Sequence, residues 1–135
     1  LMNFHHIGIF VKKISTAKKI LQNQIKIKSH SKIFKDKKLK VKIMFIIDNN
    51  KIRYELVEPF GKGNPVDKYL KNKINLLNHI AYKVNNFDDT CDYFRNLGYG
   101  FLIQPQKAVA FNYSRVVFML SPLGFIVELI EQNNN

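Results

Sequence analysis

The stretch Leu77-Asn78-His79-Ile80-Ala81-Tyr82-Lys83-Val84 has a twin near the start of the chain, Phe4-His5-His6-Ile7-Gly8-Ile9-Phe10-Val11. Superposing them pairs His6 with His79, Ile7 with Ile80 and Val11 with Val84, each pair 73 residues apart. The same interval returns further on, where Tyr54-Glu55-Leu56-Val57-Glu58 falls on Val127-Glu128-Leu129-Ile130-Glu131. Two separate matches at one interval predict a duplicated unit. All four glutamates of the chain lie in these two short runs, so each half keeps one histidine and one carboxylate in fixed places.

With 135 residues the chain is long enough for one core and short for two independent ones, so the duplicated halves are expected to form a single domain over 2–135. Residues 4–11 alternate, with Ile7, Ile9 and Val11 on one side and Phe4, His6, Gly8 and Phe10 on the other, which predicts a strand. A helix is predicted from Ser15, its expected cap, to about Gln22, with Ala17, Ile20 and Leu21 on one stripe. Residues 25–34 read as strand or loop. Residues 39–45 read as a half-exposed strand, Asp48-Asn49-Asn50-Lys51 as a turn, and 52–58 as the returning strand that Pro59 ends. The glycine-bearing connector at 61–64 leads to a short helix opened by Pro65, with Val66, Tyr69 and Leu70 inward.

The second half repeats the plan. It reads as a strand at 77–84, a helix from about Asp88 to Leu97 stopped by Gly98, an extended piece at 101–104, and strands at 115–120 and 125–130 joined by a turn at 121–124. The fold class is therefore α+β: two pseudo-symmetric βαβββ modules, about 4–60 and 77–131, joined by a linker helix at about 61–74 and sharing one concave mixed sheet.

The net charge of +12 invites a nucleic-acid reading, and residues 26–42 carry eight lysines against one aspartate. The excess is 19 lysines to three arginines, however, and base or bidentate phosphate recognition favours the planar arginine fork. A solvated lysine face is expected instead, one that draws an anionic small molecule towards a site by field focusing. No apolar run of membrane-spanning length and no charged segment followed by an apolar one occur, so a cytosolic location is expected. The single cysteine, Cys91, has no disulfide partner within the chain and reads as a buried thiol near Phe87 and Phe94.

Alternation puts Glu55 opposite Tyr54 and Leu56, and Glu128 opposite Val127 and Leu129. If the aliphatic faces pack on the helices, His6, Glu55, His79 and Glu128 project from the other face. Two neutral imidazoles and two carboxylates suit one divalent ion of borderline hardness, Zn²⁺, Co²⁺, Ni²⁺ or Mn²⁺, whose charge the carboxylates balance. His5, His30, Glu58 and Glu131 have no place in that set.

These runs, with the His-Ile-Gly-Ile opening, the Asn-His-Ile-Ala-Tyr strand and the Phe-Ile-Val-Glu-Leu ending, resemble the vicinal oxygen chelate (glyoxalase/bleomycin resistance/dioxygenase) superfamily over almost the whole chain. The stretch Glu55-Leu56-Val57-Glu58-Pro59-Phe60-Gly61 ahead of Asn64-Pro65 is similar to the methylmalonyl-CoA epimerase branch. That resemblance implies a metal held by His6, His79 and Glu128 with Glu55 as the fourth ligand, and Glu55 and Glu128 as the catalytic carboxylates. It implies α-proton transfer on an acyl-CoA or related thioester, in a homodimer. It also implies an acid on the strand before the hairpin, where this chain offers Lys40 and Lys42. Arg115 is the candidate grip for a substrate carboxylate or phosphate. A glyoxalase I-like lyase acting on a thiol hemithioacetal and a non-catalytic small-molecule-binding or resistance protein are the alternatives.

Overall fold

The structure, a computed structural model, describes residues 2–63 and 76–133. It divides into two compact units, Leu1–His5 with His79–Asn135, and His6–Asn78. The first half of the chain forms β1 (Met2–Phe10), α1 (Ile14–Leu21), β2 (Ile27–His30), β3 (Phe34–Asp36), β4 (Val41–Asp48) and β5 (Arg53–Pro59). The second forms β6 (Leu76–Val84), α2 (Phe87–Asn96), β7 (Gly100–Phe101), β8 (Gln106–Lys107), β9 (Arg115–Leu120) and β10 (Ile126–Glu131), with a 3₁₀ turn at Val109–Phe111. The expected helix after Pro65 lies outside the described residues.

In the unit His6–Asn78 the strand order is β2-β4-β5-β1, with β3 also on β4; β5 runs parallel to β1 and antiparallel to β4. In the other unit the order is β6-β10-β9-β7, with β8 also on β9; β10 runs parallel to β6 and antiparallel to β9. Both sheets are mixed, and with a helix in each half the class is α+β, as expected. Each half was read as strand, helix and three strands; the first of those three is split in two. β2 and β3 both pair with β4, and β7 and β8 both pair with β9. In the first half the ladder shifts between Ile27 and Ser29, and beyond it the Ser31 hydroxyl takes the Phe45 N–H at 2.9 Å.

The helices pack where alternation put the aliphatic sides of the strands. Around α1 the core is Val11, Ile14, Leu21, Met44, Ile46 and Leu56, with Ile9, Ala17 and Tyr54 against it. Around α2 it is Val84, Phe87, Cys91, Phe94, Val117, Met119, Val127 and Leu129. Every member of the first cluster finds its counterpart 73 residues on in the second, so the interval seen in two strands extends through the core. Each such side chain, fully buried, contributes roughly 1.5–3 kcal/mol. Cys91 is buried as expected, and burial pushes its thiol pKa up.

Two helix details differ from expectation. α1 begins at Ile14, and its free N–H is met by the Glu58 carboxylate at 2.7 Å rather than by Ser15. The side of the helix that packs inward carries Ile14, Ala17 and Leu21, and Ile20 is 56% exposed. α2 begins at Phe87 and ends as Gly98, at φ +89°, donates its N–H to Arg95 O while Tyr99 N–H reaches Phe94 O. Among the described residues no helix is long and apolar enough to cross a membrane.

Candidate metal centre

His6 lies on β1 in the buried alternation His6, Gly8, Phe10, on the side turned away from α1. In the parallel pairing of β1 with β5, Glu55 stands directly across from Gly8. The His6 imidazole therefore sits one pleat repeat from the Glu55 carboxylate, and Nε2 and Oε1 are 3.4 Å apart. In the second half, Glu128 stands across from Ala81, and His79 Nε2 is 3.2 Å from Glu128 Oε1. The two pairs are built in the same register, each with a residue no larger than alanine between histidine and carboxylate. A large side chain at Gly8 or Ala81 would fill the space where the two head groups meet.

A third residue joins each pair. Phe45 stands across from Glu55 in the antiparallel β4–β5 pairing, and its ring meets His6 edge-on with centroids 5.7 Å apart and planes at 67°. Phe118 stands across from Glu128, and its ring meets His79 at 5.6 Å and 83°. These phenylalanines were missed in the sequence. They too are 73 residues apart, so the interval that exposed the histidines carried the signal for them.

His6, Glu55, His79 and Glu128 are all buried, and each offers one donor atom of the kind that could hold a metal ion. Burying a carboxylate costs several kcal/mol unless positive charge comes with it. A proton on each imidazole would supply that charge, and so would a divalent cation, for which each unit offers one imidazole nitrogen and one carboxylate oxygen. The residues fit the group.

The remaining candidates have other work. Arg115 shares its face of β9 with Val117 and Met119, the side that packs on α2, whereas Phe118 is on the side of Glu128. Its guanidinium donates to Glu131 at 2.6 and 3.1 Å and to Asp88 at 3.0 and 3.2 Å, and lies 4.7 Å above the Phe87 ring. These bonds hold the Glu131 and Asp88 carboxyls below their usual range and push the guanidinium pKa up. Arg115, the candidate grip for substrate, thus has its fork on Asp88 and Glu131, partners distant in sequence. Lys42 is 3.8 Å from Glu58 and shares its face with Met44 and Ile46, turned to α1. Lys40, at φ +56°, donates to the Lys62 carbonyl at 2.6 Å. His5 packs edge-on against Phe111, and the exposed His30 imidazole is 2.9 Å from the Ser31 carbonyl.

Solved structures with this arrangement of strands and helices have low identity to the chain. A hypothetical protein from Bacillus halodurans C-125 is 21% identical, with a TM-score of 0.77 over 99% of this chain and 96% of that one. A methylmalonyl-CoA epimerase from Mycobacterium tuberculosis is 18% identical, with a TM-score of 0.79 over 97% of this chain and 88% of that one. A Streptomyces coelicolor methylmalonyl-CoA epimerase, solved in complex with 2-nitronate-propionyl-CoA, is 18% identical, with a TM-score of 0.74 over 98% of each chain. No curated protein matches the sequence. The sequence profile of one family covers residues 5–118, from the first histidine strand through Phe118. On that match, joined to the repeated module, the chain belongs to the Glyoxalase/Bleomycin resistance protein/Dioxygenase superfamily.

Proposed function

We propose that the protein is a metal-dependent epimerase or isomerase that moves the α-proton of an acyl thioester, in the manner of methylmalonyl-CoA epimerase. In this reading His6, Glu55, His79 and Glu128 together hold one divalent ion, Co²⁺, Zn²⁺, Ni²⁺ or Mn²⁺. The observation that carries it is the repetition of one buried histidine–glutamate pair in identical register in both halves. A duplicated pair gives two imidazoles and two carboxylates, a complete four-donor set with protein charge to match the ion. Structural neighbours of the chain include methylmalonyl-CoA epimerases, one of them in complex with methylmalonyl-CoA.

When bound, the ion would act as a Lewis acid on the thioester carbonyl and lower the barrier to α-deprotonation by several kcal/mol. The chain's own residues do the rest. Each carboxylate has two oxygens, so one can serve as ligand while the other accepts or returns a proton. Inverting a stereocentre needs a proton removed from one face and returned to the other, the two roles this reading gives to Glu55 and Glu128. A positioned base of this kind supplies about 10²–10⁴-fold. The phenyl rings of Phe45 and Phe118 offer no hydrogen bond and stand edge-on to the two imidazoles. The net charge of +12 favours capture of an anionic substrate such as a CoA thioester. The reading retains a cytosolic homodimer.

The test is solvent deuterium incorporation at C2 of methylmalonyl-CoA, followed by NMR with Co²⁺-loaded protein and a chelated control. Metal-dependent exchange far above background is the expected result. No exchange from protein shown to bind the ion would reject this substrate, and turnover of a thiol hemithioacetal instead would establish the lyase alternative.

A further inference from the structure

We propose that Phe45 and Phe118 are positioning residues that fix the orientation of the His6 and His79 imidazoles for their shared task. The inference rests on the proposed metal site for its effect on affinity, and on ring geometry alone for its effect on the histidines.

Three observations carry it. Each phenylalanine is the cross-strand neighbour of a site glutamate, Phe45 of Glu55 and Phe118 of Glu128. Each reaches past that glutamate to the imidazole on the far strand and meets it edge-on, at 5.7 Å and 67° in one half and 5.6 Å and 83° in the other. An edge-to-face contact of this kind is favourable and geometrically selective, so the phenyl ring prefers one imidazole plane over others.

The third observation comes from the repeat. Other positions on this face differ between the halves: Gly8 against Ala81, Phe10 against Lys83, Ile43 against Val116, Val57 against Ile130. Histidine, glutamate and phenylalanine are the same in both. Two of the three identical residues on this face are the donors, and the third is cross-strand neighbour of one and in ring contact with the other. The rings of Phe45 and Phe118 are half-buried. Around an ion, an edge-on ring that orients a ligating histidine is worth a few-fold to about tenfold in affinity.

The experiment compares the parent protein with Phe45→Leu, Phe118→Leu and the conservative Phe45→Tyr and Phe118→Tyr. Long-range ¹H–¹⁵N spectra of the metal-free proteins read the tautomer and order of each imidazole, and Co²⁺ affinity and absorption spectrum are measured by titration. In each leucine variant the histidine touching the substituted ring is expected to show shifted and broadened signals while the other is unchanged. Co²⁺ affinity is expected to fall a few-fold to about tenfold with an altered spectrum, and tyrosine to restore both readouts. Methionine replaces leucine at any position where the leucine variant does not fold. Unchanged histidine signals in the leucine variants would overturn the inference, as would altered signals that tyrosine fails to restore. A parent protein that binds no Co²⁺ would sink the metal reading, while the histidine spectra would still decide the role of the phenylalanines.

Discussion

Glu58 accepts the backbone N–H of Ile14 at 2.7 Å, and this separates it from Glu55, three residues earlier on the same strand. One pleat side of β5 caps a helix while the other meets an imidazole. Glu58→Ala removes the acceptor and a negative charge from the positive end of α1. We expect it to lower stability by about 1 kcal/mol, within the range of lost helix caps, measured by urea unfolding, with Co²⁺ binding unchanged. Loss of Co²⁺ binding would mean that the two glutamates are not functionally separate.

Arg115 ties β9 to α2 and β10 through Asp88 and Glu131. Both carboxyls are held below their ordinary values of 3.8 and 4.5 by the guanidinium, so the folded state keeps them ionised to lower pH than the unfolded chain does. Their contribution is therefore complete above about pH 4.5 and is lost as the pH falls through the lower folded-state values. Arg115→Ala should be less stable than the parent at pH 7, by on the order of 1 kcal/mol from the half-buried Glu131 pair. The gap should close as the pH falls through those lowered folded-state values. A gap independent of pH would show that packing on Phe87, not charge, is what Arg115 provides.

Ala81 is fully buried across from Glu128, with Ala108, Val116 and Ile130 around it. Ala81→Leu forces extra volume into this cluster and should cost about 1–3 kcal/mol. It should also displace the Glu128 carboxylate and weaken Co²⁺ binding. Thermal unfolding and a metal titration on the same sample check both, and unperturbed metal affinity would show that Ala81 is not a spacer.

Binding to the folded state alone stabilises it by about 2.7 kcal/mol at a ligand concentration one hundred times Kd. Co²⁺ should therefore raise the melting temperature of the parent by roughly 10 °C, and a chelator should reverse the shift. His79→Ala should show no shift. A Co²⁺ effect of equal size in His79→Ala would place the ion elsewhere.

What was legible in the sequence followed from its repetition. His6, Glu55, His79 and Glu128 could be singled out because the halves share one register, and alternation then gave the correct faces. Phe45 and Phe118 were equally available at that interval, but a phenylalanine in a strand draws no notice beside core residues. The rest was long-range. The cap on α1 comes from Glu58, 44 residues away, so no local pattern could favour it over Ser15. The partners of Arg115 are also remote, Asp88 and Glu131 lying 27 and 16 residues away, so no local pattern pairs them with it. The strand after each helix is also split, between residues 30 and 34 in the first half and between 101 and 106 in the second.

The measurement that bears most directly on the account is the metal content of Co²⁺-loaded protein, by elemental analysis, in the parent, His6→Ala and His79→Ala. One equivalent per chain in the parent, lost in both variants, is expected if the two pairs serve a single ion. Two equivalents, with each variant losing only one, would mean that the pairs are separate sites, and none in the parent would contradict the metal centre altogether.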